Sequence, residues 1–284
     1  MRRTGMLAAV LTLALCLAAC STTGNPLASG AEEDAMPTNA EAENSAVPDT
    51  EKSTEADATE IAEESAPEFP ERGEQEKTLQ VNGVSLSVKE DGSGPDMVLI
   101  HGRGFDKDSM DIFFERYRNR YHVISYDVRG HGGTVAPGEF TLDNLSEDLA
   151  ELIAVCQLES PVVIGFSMGS YITLKTAEKY PNLFSKIVLI GTRGGRTSSG
   201  MELTDEVARA LDSFDNLTNA PDVSVPALVL TGENDAINPP AEGEKVADAL
   251  PNAKFEVIPG AEHMAYVQEP DLVLTLIDEF LDEM

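Results

Sequence analysis

Basic side chains are scarce in this chain: 20 Lys and Arg stand against 50 Asp and Glu, a formal net charge of −30. That balance argues against a nucleic-acid ligand, whose phosphates call for cations, and against adhesion to anionic lipid through the protein's own surface. Histidine is scarce too, with His101, His122, His131 and His263 scattered along the sequence. They fall into no ligand spacing with the three cysteines, so no metal is expected. No phosphate loop or dinucleotide fingerprint follows any strand-forming run, and no cofactor is expected either. The longest apolar stretch, residues 6–15, is well short of the roughly 20 residues that span a bilayer.

What is present at the front is a processing signal. Arg2 and Arg3 precede the apolar run, and Leu17-Ala18-Ala19-Cys20 ends it. A basic start, a short apolar core and small residues before a cut are the features of a secretory signal over residues 1–19. The Leu-Ala-Ala-Cys ending resembles the bacterial lipobox, which implies cleavage before Cys20 and lipid on its sulfur. A plain signal peptide cut nearby is the alternative. Residues 21–76 hold 16 acidic side chains against Lys52 and Arg72, with Phe69 as their one aromatic. Such a segment cannot bury enough apolar area to offset its ordering entropy, and its charges hold it extended. It reads as a tether between Cys20 and a domain at 77–284. Subtraction leaves that domain 34 acids (50 − 16) and 16 bases (20 − 2 − 2), a charge of −18. Membrane contact is therefore expected through Cys20 alone. Cys16 leaves with the signal, and Cys156 reads as a small buried hydrophobe, so no disulfide is expected in the mature chain.

Within 77–284, Thr78–Val81 and Val84–Val88 alternate around Asn82-Gly83, the signature of a two-residue hairpin. Apolar runs recur at Met97–Ile100, His122–Tyr126, Val162–Ile164, Ile187–Ile190, Ala227–Leu230 and Phe255–Ile258. Helical periodicity separates them. From about Thr141 to Gln157, Leu142, Leu145, Leu149, Leu152, Ile153 and Cys156 form one stripe, with Glu147, Asp148 and Glu151 opposite. Met168–Lys179 is a second helix, stopped by Pro181, and Leu272–Leu281 a third. Strands alternating with helices predict an α/β domain: a mostly parallel sheet covered on both faces, with an antiparallel start. Residues 192–225 form a small insertion, with a further helix expected over Thr204–Phe214.

The chemistry centres on Gly165-Phe166-Ser167-Met168-Gly169, set between a strand and a helix. Small residues flanking a serine at such a sharp turn lift its hydroxyl above the sheet edge as a candidate nucleophile. A serine needs a base, and the base needs an acid that holds its tautomer. His263 and Asp235 both fall just beyond strand runs, on the rim where Ser167 stands. Glu233, Glu262 and Asp127 are competing acids. The order Ser167, Asp235, His263 is the nucleophile–acid–base order of one particular fold.

Here the sequence resembles the α/β-hydrolase family, over nearly all of residues 78–284. The elbow matches Gly165–Gly169, the His-Gly loop His101-Gly102-Arg103-Gly104, and the Asp-x-Arg-Gly-x-Gly turn Asp127–Gly132. The acid loop matches Gly232–Asp235 and the base loop Gly260–His263. The resemblance implies Asp235 as the acid, and oxyanion donors in the backbone N–H groups of Met168 and Arg103. It also implies a serine hydrolase, here expected to act as a monomer on small or medium esters. Lactonase, thioesterase, carbon–carbon bond hydrolase and cofactor-free peroxidase are alternatives within the family. A surface lipoprotein that binds a ligand without turnover is the alternative outside it.

Overall fold

The computed structural model describes residues 73–135, 139–195 and 217–283. The signal and lipidation residues and the insertion helix expected at 204–214 lie outside the described residues.

Asn82 and Gly83, both at positive φ, close the hairpin of β1 (Gln75–Val81) and β2 (Val84–Asp91), pairing Val81 with Val84. β2 then pairs antiparallel with β4 (His122–Tyr126). From there the sheet is parallel: β4 beside β3 (Asp96–Ile100), then β5 (Val162–Phe166), β6 (Lys186–Ile190), β7 (Ala227–Gly232) and β8 (Ala253–Ile258). The strand order is thus β1-β2-β4-β3-β5-β6-β7-β8. The antiparallel start and parallel remainder are those expected from the sequence.

The central strands read as unbroken apolar runs because both of their faces are covered. Val98, Ile100 and Val163 pack in one core with α2 (Leu142–Val155), α3 (Met168–Lys179) and α4 (Pro240–Ala249). Met97, Leu99, Ile164 and Phe166 point the other way, toward α1 (Asp111–Tyr117) and α6 (Pro270–Asp282). A short α5 (Ala265–Gln268) precedes α6. Thr141 caps α2 by accepting the Asn144 N–H at 3.1 Å, which sets the start that the periodicity located only to within a residue.

Two helices and one buried residue depart from the pattern reading. The seven residues of α1 offer too little sequence for a helical period to show. The period of α4 is hidden because Gly243 interrupts its apolar stripe. That glycine is there for space, as a Cβ would collide with the Thr231 hydroxyl. Asp148, placed on the solvent stripe of α2, is buried instead. It holds Arg129 through two bonds of 2.8 Å and accepts from Asn82 at 3.3 Å. A helical period cannot register a guanidinium arriving from the β4–α2 connection, and that bidentate pair is what makes burial of the carboxylate tolerable.

Candidate active site

Ser167 leaves β5 and opens α3 with φ 50° and ψ −111°. Such a conformation costs a non-glycine residue on the order of 1–3 kcal/mol and persists only where its surroundings allow no other. Those surroundings are tight. A Cβ on Gly165 would lie 2.5 Å from the Gly169 carbonyl oxygen, and one on Gly169 would run into the Ile100 carbonyl. The Ser167 N–H is fixed by the Ile190 carbonyl at 2.8 Å, so the turn is anchored to β6 as well.

His263 follows β8 and Asp235 follows β7, so parallel strands deliver all three side chains to one sheet edge. The His263 Nε2 is 3.0 Å from the Ser167 Oγ, and its Nδ1 is 2.7 Å from the Asp235 Oδ2. The other Asp235 oxygen accepts the N–H groups of Ile237 and Asn238 at 2.8 Å each. With a carboxylate on Nδ1 the proton belongs there, leaving the Nε2 lone pair to face the hydroxyl. The imidazole packs against the Phe166 ring, centroids 5.1 Å apart. On another side a Cβ at Gly191 would come within 3.1 Å of its Cε1, a tight fit at a position whose φ of 62° itself favours glycine.

Two of the competing acids are engaged elsewhere, and the third faces solvent. Asp127 is buried and accepts from the N–H groups of Lys107 at 2.7 Å and Gly133 at 2.8 Å, stapling two loops. Glu233 accepts from the Gly260 N–H at 2.7 Å. Glu262 is exposed, and its backbone, not its carboxylate, meets Gln268. The other histidines also have local duties. His101 accepts the Val128 N–H through Nε2 at 3.0 Å and turns Nδ1 to the Gly102 carbonyl at 2.8 Å. Burial drives its pKa down to about 4, so it stays neutral and ties the His-Gly loop to the turn after β4. His131 meets the Arg129 carbonyl at 3.1 Å, and His122 meets Asp96 at 2.8 Å.

Met168 is the first residue of α3, where a backbone N–H has no acceptor within the helix. Its side chain is fully buried in the α2–α3 core, leaving only the amide at the elbow. Gly102 adjoins the nucleophile: a Cβ there would lie 3.4 Å from the Ser167 Cβ. Arg103 comes next in the chain, with an exposed side chain. Pattern reading passed over Asn238, whose buried side chain donates at 2.8 Å to the Tyr171 hydroxyl and at 2.5 Å to the Gly191 carbonyl. The signal available was its spacing from Asp235, since an aspartate commonly accepts from backbone N–H groups two and three residues on.

Comparison with known proteins bears on the fold and the family. Residues 95–220 and 209–270 match a family model described as the alpha/beta hydrolase fold. The chain is 27% identical over 258 residues to a Mycobacterium tuberculosis protein that carries the name of a non-heme bromoperoxidase, BpoC, covering 69% of this chain and 97% of that one. It is 23% identical over 264 residues to 2-(acetamidomethylene)succinate hydrolase of Mesorhizobium japonicum, covering 72% and 95%. Among solved structures, a thermophilic esterase from Thermogutta terrifontis, malate bound, is similar with TM-score 0.65 and 25% identity over 73% of this chain and 98% of that one.

Proposed function

The chain belongs to the α/β-hydrolase fold family, and on that premise we propose that it is a lipid-anchored serine hydrolase of small or medium carboxylic esters. The observation that carries the reading is the relay of Ser167, His263 and Asp235, with its contacts of 3.0 and 2.7 Å. In this reading His263 Nε2 takes the hydroxyl proton as Oγ attacks the substrate carbonyl. The N–H groups of Met168 and Arg103 hold the oxyanion, a contribution of about 3–4 kcal/mol for a well-placed donor. His263 then protonates the leaving alcohol, and a water deprotonated by the same nitrogen releases the acid. Asp235 keeps the imidazole in its tautomer and stabilises the imidazolium.

The test is to expose the purified protein to a fluorophosphonate probe and to a panel of p-nitrophenyl esters. Covalent labelling and turnover of the shorter acyl chains are expected. Absence of labelling where a reference serine esterase reacts would favour the ligand-binding lipoprotein instead.

A second reading concerns what else the ester carries. The Arg193 guanidinium sits 5.5 Å from the Tyr171 ring centroid. Burial pushes the Tyr171 hydroxyl up to about 12, while the positive charges of Arg193 and Arg103 pull the other way. A guanidinium beside the elbow helix of an acidic domain suits an ester with a carboxylate of its own. A succinate-derived substrate and a bound malate in the names of two similar proteins lend this support. Half-esters of dicarboxylic acids in the panel are then expected to show a lower KM than neutral esters of equal length. Equal values would remove this refinement and leave the esterase reading intact.

The anchor rests on Leu17-Ala18-Ala19-Cys20. Fractionation of cells expressing a Cys20→Ala form is expected to move the protein from the membrane to the soluble fraction. Co-sedimentation with membranes to the same extent as the parent would refute lipidation at that sulfur.

A further inference from the structure

We infer that Asn238 is a positioning residue that couples the acid loop to both the nucleophile and the base; the inference rests on the serine-hydrolase reading above. Its side chain is fully buried, and its two amide hydrogens are spent on two different elements. One goes to the Tyr171 hydroxyl at 2.8 Å, on α3 one turn beyond the nucleophile, where the Tyr171 N–H points back to the Ser167 carbonyl at 3.3 Å. The other goes to the Gly191 carbonyl at 2.5 Å, on the residue whose missing Cβ makes room for the His263 ring. Its backbone N–H, meanwhile, holds the Asp235 Oδ1, which leaves Oδ2 for the imidazole. One residue thus touches the acid, the helix that carries the serine and the glycine that abuts the base.

Chemistry favours asparagine here. A carboxamide supplies two hydrogens on one nitrogen, and its acceptors, a phenol oxygen and a carbonyl oxygen, lie on separate segments. Aspartate has the same shape but would set a negative oxygen against the Gly191 carbonyl. A leucine would fill the volume and take from each acceptor the N–H that Asn238 gives it, a costly loss for buried polar groups. Small displacements matter because proton transfer from Oγ to Nε2 depends on distances held to within fractions of an ångström.

The experiment compares the parent with Asn238→Ala, Asn238→Asp and Tyr171→Phe, normalising rates to sites titrated with the fluorophosphonate. The expected result for Asn238→Ala is a kcat lower by on the order of 10- to 100-fold with KM within about twofold. Tyr171→Phe, which removes one acceptor only, should fall between it and the parent. A second readout does not need turnover: in 15N-labelled protein, the low-field proton resonance of the His263 Nδ1–H facing Asp235 should be weakened or displaced in Asn238→Ala. If kcat per titrated site and the resonance both match the parent while only thermal stability drops, Asn238 is an ordinary core residue and the inference fails. If the parent neither turns over esters nor is labelled, yet the resonance still responds to the substitution, the esterase reading fails and the positioning role stands.

Discussion

Replacing Ser167 by alanine is expected to lower kcat on p-nitrophenyl esters by about 10⁶-fold and to abolish fluorophosphonate labelling. The size of the loss follows from what one oxygen does. In the proposed mechanism it forms the bond that splits a hard hydrolysis into two easier steps, and it is the hydroxyl that meets the His263 Nε2, at 3.0 Å, among the described residues. Residual catalysis of about 10³- to 10⁴-fold over water is expected from oxyanion donors and binding alone. A loss of less than tenfold would mean that the reaction runs through another group. Ser167→Gly offers a useful companion. It deletes the same oxygen but also removes the side chain that makes φ 50° and ψ −111° costly. It should therefore unfold at a temperature no lower than that of Ser167→Ala, a trade between stability and activity often found at catalytic positions.

Replacing Asp235 by asparagine is expected to cost about 10⁴-fold in kcat while leaving the fold intact. The substitution preserves an oxygen for the N–H groups of Ile237 and Asn238, which hold it at 2.8 Å in the parent. What changes is the side facing His263. An amide nitrogen there donates to Nδ1 and forces the imidazole proton onto Nε2, where it confronts the Ser167 hydroxyl as a donor instead of an acceptor. Kinetics of Asp235→Asn beside Glu262→Gln would separate the assigned acid from its exposed neighbour. Equal losses in the two variants, or a near-normal Asp235→Asn, would overturn the assignment. The geometry expects Glu262→Gln to behave like the parent, because its carboxylate makes no contact with the relay among the described residues.

Much of this was legible in the residue string for identifiable reasons. The hairpin at Asn82-Gly83 is a local device, requiring positive φ at two adjacent positions. The elbow is local too: Gly165 and Gly169 are demanded by crowding within one turn and against one neighbouring strand. Ser167, Asp235 and His263 could be read because strand ends on a parallel sheet collect at one edge, so their order along the chain carries spatial meaning. Asn238 and Asp148 were not legible in that way. Asn238 donates to residues 67 and 47 positions away, and Asp148 receives an arginine 19 positions away and an asparagine 66 away. Each depends on a meeting that only the folded sheet arranges, and residue type alone gives no hint of it. The helix α1 escaped for a different reason, being too short to show a period before Phe113, Phe114 and Tyr117 disappear into the core.

The parallel seam between β6 and β7 runs from Ile187 beside Ala227 to Ile190 beside Leu230. It closes the sheet whatever the chain does between Gly191 and Pro226. Doubling the length of such an excursion costs only about 0.6 kcal/mol in closure entropy, far less than disturbing the rim would. Residues can therefore be added to that stretch or removed from it at little cost to the sheet, and the strand ends that carry Ser167 and Asp235 need not move in response.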